Sequence, residues 1–291
     1  MDFFKRIVYN AFIAKLKDGR ENMTPKEKII ETYYNNVHGK SPNVSGMNVR
    51  HDGRKGQWLE HQFGILSNAS NSPDLFGYEL KNETTSKTTF GDWSANEYVF
   101  TNPIYKPVFN CKQKFDNRER FLHIFGKPNE EKNNRYSWSG EPCPKIGEYN
   151  RFGQILRITS EKDIVAEYNY DQDERRDKST IVPELLRING LILAKWYGLA
   201  KPAGYRKKTL KEKLEDKFNV NGWFTCKKDS SGRYCKICFG KPLNFTEWLN
   251  LVNAGIVFFD SGMYEGNKRP YSEWRANNNL WDSLIVEEYP D

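Results

Sequence analysis

The chain has 291 residues, 37% of them hydrophobic and 29% charged, with a formal net charge of +7 and a pI near 8.9. This length holds one large domain or two modest ones, and the balance is that of a globular chain, not a disordered or fibrous one. No run reaches the roughly 20 apolar residues of a membrane span, the N-terminal MDFFKRIVYNAFIAKLKDG is too charged for a signal-peptide core, and five cysteines form an odd set suited to reduced thiols. A cytoplasmic bacterial or archaeal protein is expected, and the positive balance favours a polyanionic partner.

Residues 1–38 are expected to form two helices broken at Asp18-Gly19. The second opens at Thr24-Pro25, a capping residue followed by a helix-starting proline, with Ile29, Ile30 and Tyr33 facing inward. Residues 39–56 are rich in glycine, lysine and arginine and read either as a surface loop or as a loop that touches phosphate. A short amphipathic helix follows, on which Leu59, Phe63 and Leu66 share a face at i, i+4 and i+7 and Glu60 lies outside the stripe.

The segment that follows is the most informative. Pro73-Asp74 is separated by four residues from Glu79-Leu80-Lys81, giving PD-x4-E-x-K. On a strand, residues two apart share a face, so Glu79 and Lys81 project together while Leu80 turns into the core with Tyr78. The turn signals Pro73 and Gly77 bring Asp74 alongside. Two carboxylates and an ammonium then converge. Such oxygens suit Mg2+, and a lysine beside the ion can hydrogen-bond a water or a phosphate oxygen. The same residues can also form a plain strand edge with a salt bridge.

Beyond Lys81 a further strand and loop carry Lys87, a candidate phosphate contact. FLHIFGKP (121–128) reads as a strand ending in a turn, and residues 129–153 as a long irregular region. Residues 154–170 read as two strands joined at 160–163, and DQDERRDK (171–178) as a solvated turn. Thr180 to Pro183 is expected to open a core helix carrying Ile181, Leu185, Ile188 and Ile192 and ending at Gly198. The 201–219 segment reads as a basic helix with Leu210, Leu214 and Phe218 inward and Lys207, Lys208, Lys211 and Lys213 outward, either solvated or on phosphate. Cys226, Cys235 and Cys238 suit a β-hairpin turning at 230–232, or a zinc site one ligand short. Asn244 and Glu247 cap a helix that stops at Gly255, and residues 256–264 form a strand. It runs into a cationic loop bearing Lys268, Arg269, Tyr271 and Arg275, the candidate base-reading element, since arginine bidentate to guanine is the commonest specific contact. Salt bridges to Glu265 and Glu273 are the plainer alternative.

The phrase LEHQFGILSNASNSPDLFGYELK is similar to the E-x-x-L-G-I … N … D … G-x-E-L-K pattern of the MutH-like branch of the PD-(D/E)xK nucleases, over about Gly53–Lys87. The spacer resembles most closely that of the MvaI/BcnI restriction endonucleases, with Sau3AI enzymes in the same branch. The resemblance implies an α/β fold with a mixed central sheet flanked by helices and two lobes forming a DNA cleft. It also implies metal ligands at Asp74 and Glu79, a helper carboxylate at Glu60, a catalytic Lys81, and Mg2+ as cofactor. A catalytic lobe is expected over 1–200 and a recognition lobe over 201–291. The expected activity is that of a type II restriction endonuclease on double-stranded DNA, acting as a monomer beside a cognate DNA methyltransferase. A MutH-like nickase, a non-catalytic DNA-binding protein and an RNA nuclease are the alternatives.

Overall fold

The computed structural model describes residues 23–46, 53–66, 71–82 and 84–290. The first expected N-terminal helix and part of the 39–56 loop lie outside these residues. In chain order the elements are α1 (Pro25–Asn36), α2 (Arg54–Gln62), β1 (Glu79–Lys81), β2 (Lys87–Asp92), β3 (Glu97–Tyr98), α3 (Lys114–Phe125), β4 (Lys127–Asn129) and β5 (Arg135–Ser137). Then come β6 (Phe152–Ile158), β7 (Ile164–Asp173), β8 (Asn189–Trp196), α4 (Leu210–Phe218), β9 (Trp223–Lys228) and β10 (Tyr234–Gly240). The last are α5 (Phe245–Asn253), β11 (Val257–Ser261), β12 (Ser272–Asn277), α6 (Asn278–Ser283) and β13 (Ile285–Pro290). Two compact units interleave along the chain: Met1–Thr88, Glu215–Leu243 and Asn278–Asp291 make the first, and Thr89–Leu214 with Asn244–Asn277 the second. The units therefore do not divide at residue 200, as the sequence reading expected, because β1 finds its pairing partner late in the chain.

The first unit is built on a mixed sheet in the order β1-β9-β10-β13. β1 lies at its edge and runs parallel to β9, with Glu79 opposite Trp223 and Lys81 opposite Thr225, while the other pairings are antiparallel. The β9-β10 hairpin turns where expected. The Asp229 carboxylate accepts from the backbone N–H groups of Ser231 and Arg233, and Gly232 supplies the positive φ of 82° that the turn requires. One face of the sheet, with Leu80, Phe224, Cys226, Ile237 and Phe239, packs against Ile29, Ile30 and Tyr33 of α1 and Trp58 and Leu59 of α2. Each such large apolar side chain contributes about 1.5–3 kcal/mol on burial. α1 begins as expected with a reciprocal capping box: Glu27 N–H donates to Thr24 Oγ1, and Thr24 N–H to Glu27 Oε2. α2 is shorter than its apolar stripe. It stops at Gln62, Gly64 takes φ 72°, and Leu66 is left 80% exposed instead of extending the buried face.

The second unit contains the antiparallel sheet β3-β8-β7-β6 and the ribbon β4-β5. Its sequence departs from expectation in four places. Residues 121–125, read as strand, end α3. The helix starts upstream at Lys114, and Arg118, Phe121, Leu122 and Phe125 then fall on one buried face. The expected core helix after Thr180 is only a single helical turn, Lys178–Ile181, followed by β8. Pro183 lacks the N–H a helix interior needs, and β7 offers a partner edge. Leu191 and Leu193 therefore turn inward, while Leu185, Ile188 and Ile192 stay 38–43% exposed. The charge run at 171–178 is not simply solvated, since Asp173 and Arg175 form a buried pair at 2.7 Å. Lys213 is not an outward lysine: its Nζ donates to Ser94 O at 3.2 Å, and burial lowers its pKa to about 8.

The Asp173–Arg175 pair joins strand to turn. The Asp173 carboxylate also accepts from Tyr168 Oη, and Arg175 Nη1 donates to Ile124 O. Burial raises the Asp173 pKa, but the Arg175 guanidinium and N–H groups outweigh it and hold the carboxyl below its ordinary value. A depressed carboxyl stabilises the fold above its unfolded pKa and loses that contribution as pH falls through the folded one. Asp173→Ala is expected to cost about 3–5 kcal/mol at pH 7 by leaving Arg175 buried and unpaired. Thermal melts from pH 7 down to pH 3 should show the gap to wild type narrowing as the solution acidifies.

Candidate active site

The site grows from a two-residue turn. Leu75 and Tyr78 exchange both backbone hydrogen bonds, at 3.0 and 2.8 Å, with Phe76 at φ 50° and Gly77 at φ 83° between them. Two positive φ values define a type I′ turn, and glycine meets the second at no steric cost. Asn221, just before β9, clamps this turn: its N–H donates to Gly77 O at 3.0 Å and its Nδ2 to Phe76 O at 2.9 Å. A Cβ at Gly77 would lie 2.6 Å from that amide nitrogen. Glu79 N–H donates to Gly222 O at 3.1 Å, which starts the parallel pairing. The turn thus folds Asp74 back over β1, where its Oδ2 accepts from Leu80 N–H at 2.9 Å.

Glu79 and Lys81 share the face opposite the α1-α2 core, as period-2 geometry demands. Both are buried, with side chains 3% and 8% exposed. Lys81 Nζ lies 2.8 Å from Glu79 Oε1, and Lys217 Nζ, from the last turn of α4, lies 3.0 Å from the same oxygen. Glu79 Oε2 is buried with no hydrogen-bond partner among the described residues. The Phe218 and Trp281 rings stand 5.0 and 5.9 Å from the Lys81 ammonium and give it dry walls. In that environment charges act strongly on one another. Burial, then the Glu79 charge, pushes the Asp74 carboxyl up to about 6 against the pull of Leu80 N–H, Lys81 and Lys217. Burial lowers the Lys81 pKa, the Glu79 carboxylate restores part of it, and Lys217 lowers it further.

Of the expected catalytic set, the structure brings together Asp74, Glu79 and Lys81. Glu60 is half-buried on α2, and among the described residues no group of three or more His, Cys, Asp or Glu side chains is gathered to hold a metal. Two carboxylates, one with an unpartnered oxygen, still fit Mg2+, which commonly takes one or two protein carboxylates and completes its shell with water and substrate phosphate. The nucleic-acid candidates are dispersed. Lys87 opens β2 half-buried, and Lys268 and Arg269 are exposed on the loop after β11. Arg269 pairs with Asp92 and lies 4.3 Å from the Tyr271 ring. Arg275 belongs to β12 and not to that loop, and its guanidinium is paired with Asp260 and Glu273. Lys217 went unseen in the sequence. Its signal was present: it sits three residues after Leu214 and one before Phe218, on the shoulder of the buried stripe.

The family model for the LlaMI restriction endonuclease matches residues 37–289. The chain belongs to this family. The type II restriction enzyme ScrFI of Lactococcus lactis subsp. cremoris is 57% identical over 264 residues, covering 90% of this chain and 97% of that one. Among solved structures, the complex of restriction endonuclease MvaI with its cognate DNA substrate aligns with a TM-score of 0.51 at 14% identity, over 92% of this chain and 98% of that one. At that identity the likeness is one of fold, and it bears out the restriction-endonuclease-like α/β architecture expected from the motif. This LlaMI-family protein is thus a type II restriction endonuclease. No helix among its described residues is long and apolar enough to cross a membrane.

The crowding of Asp74 and Glu79 has a cost in the metal-free enzyme. A carboxyl whose folded pKa is raised binds its proton more tightly when folded, so stability falls as pH rises from about 4 through about 6. Asp74→Asn can still accept from Leu80 N–H but carries no charge. In EDTA at pH 8 its melting temperature is expected to exceed wild type by roughly 2–6 °C, with the decline between pH 4 and 6 reduced. Differential scanning calorimetry across that range checks both.

Proposed function

We propose that this endonuclease hydrolyses phosphodiester bonds of double-stranded DNA at a short specific sequence, with Mg2+ held by Asp74 and Glu79. The observation that carries the reading is the unpartnered, buried Glu79 Oε2 beside the crowded Asp74 carboxyl, with Lys81 fixed 2.8 Å from the other Glu79 oxygen. It is supported by the 57% identity to a type II restriction enzyme. When bound, the ion would activate water and offset charge on the scissile phosphate. Lys81 is assigned the part of orienting the attacking water, as an ammonium held by Glu79, or of taking the water's proton once it is neutral. Burial lowers its pKa toward the range in which an amine acts as a base. Glu79 holds the Lys81 ammonium through Oε1, and the rings of Phe218 and Trp281 exclude bulk water beside it. Glu60 is given an outer role, because it joins no cluster with the other carboxylates.

For the DNA we propose backbone contact at Lys87 and base contact from Lys268, Arg269 and Tyr271. Arg275 would contribute only on leaving Asp260 and Glu273. The MvaI neighbour was solved with cognate DNA, which supports a duplex substrate here too. Monomeric action in the cytoplasm, beside a methyltransferase that protects the host sites, completes the proposal.

The test is purified protein on supercoiled, unmethylated plasmid with Mg2+, beside EDTA, Asp74→Ala and Lys81→Ala controls. Discrete linear fragments are expected, lost with EDTA and reduced at least about 10³-fold in both variants, whose DNA binding in a mobility shift persists. Open circles without linear product would instead identify a nicking enzyme. Wild-type cutting by either variant would remove the metal-site assignment.

A further inference from the structure

The site described above holds two carboxylates, Asp74 and Glu79, and two ammoniums, Lys81 and Lys217. Both ammoniums lie on one oxygen of Glu79, at 2.8 and 3.0 Å, and leave the other oxygen buried and open. Lys217 is only 18% exposed and reaches Glu79 from the end of α4. Its anchorage is rigid: Phe218, the next residue, is fully buried, and Phe218 O accepts from Leu243 N–H. A second ammonium is more than the carboxylate needs, since Lys81 already answers Glu79.

We infer that Lys217 is a positioning residue that balances the charge of Asp74 and Glu79, so that a divalent cation is held firmly only when the scissile phosphate brings its own negative charge. The inference rests on the reading that the ion binds Asp74 and Glu79. Its physical basis is additive. A cation entering a site of two carboxylates and one ammonium meets net attraction. With Lys217 present the four charges sum to zero, and the ion gains little beyond what it had in water. A phosphodiester tips the sum. Ion and DNA therefore raise one another's affinity by a common factor, as linkage requires. Lys217 also pins Oε1 by its contact, which leaves Oε2 as the oxygen that would be available to an ion.

The test needs no cleavage. Mg2+ and Mn2+ are titrated into DNA-free wild type, Lys217→Gln, Lys236→Gln and Asp74→Asn, with affinity read from calorimetry and from the rise in melting temperature at each ion concentration. Lys236 pairs with Glu288 on the surface of the same unit and controls for general loss of charge. Lys217→Gln is expected to bind the ions about tenfold or more tightly than wild type, Lys236→Gln as wild type, and Asp74→Asn far more weakly than either. Lys217→Arg, which restores the charge, should return toward wild type. A folded Lys217→Gln with no greater thermal shift than wild type at every ion concentration overturns the inference while leaving the site reading intact, provided Asp74→Asn still loses binding. If Asp74→Asn binds as wild type does, it is the site reading that falls. A second readout is the coupling itself: adding a duplex oligonucleotide should raise ion affinity more in wild type than in Lys217→Gln, and equal gains would count against the inference.

Discussion

The parallel pairing of a three-residue edge strand with β9 is the constraint on which the site depends. β1 is too short to hold its own position, and its register comes from Glu79 N–H on Gly222 O and from the partners Trp223, Phe224 and Thr225. Once that register is set, alternation does the rest. Leu80 enters the α1-α2 core while Glu79 and Lys81 face the opposite side, where the end of α4 and Trp281 exclude water. A slip of one residue would exchange the two faces, setting the leucine against Lys217 and driving both charges into the aromatic core. Register thereby decides which side chains meet Lys217 and Trp281 as much as which enter the core.

The turn and the sheet fix one another through the same short segment. Asn221 and Gly222 belong to the connection between α4 and β9, and they bind the backbone of Phe76, Gly77 and Glu79. Phe76 in a left-handed conformation is uncommon for so bulky a side chain, and the two Asn221 contacts are what sustain it. Such local strain is tolerated where surroundings over-determine the geometry. Here its product is the approach of Asp74 to Glu79, two groups that repel one another and would separate in a looser frame.

What the sequence revealed follows from how local each signal is. The E-x-K strand, the turn before it, the N-caps Thr24 of α1 and Asn244 of α5 and the β9-β10 hairpin all depend on residues within a few positions of one another, and all stand as expected, though at α5 only the Asn244 half of the expected capping box is present. The errors fell where tertiary partners decide. β8 has the apolar spacing of a helix yet pairs with β7, and the charge run near 175 looks solvated until Asp173 and Arg175 close on one another inside the unit. Arg275 lies on β12 because that strand pairs with β11, a fact no loop-like composition betrays. Lys217 stayed hidden because its ion pair spans more than a hundred residues of chain. Asp74, Glu79 and Lys81, by contrast, lie within one turn and strand. The family pattern named them, and the structure supplies the geometry that the pattern lacks.

The interleaving of the two units has a consequence for synthesis. β1 leaves the ribosome early, but the strand it pairs with, the lysine that meets Glu79 and the tryptophan that flanks Lys81 follow only after the second unit's first and larger segment has been made. Closing so long a loop is slow and cannot begin before both ends exist. A nascent chain that carries the whole PD-x4-E-x-K motif therefore has no assembled centre. The elements around Glu79 and Lys81 are complete only once residue 281 has been made.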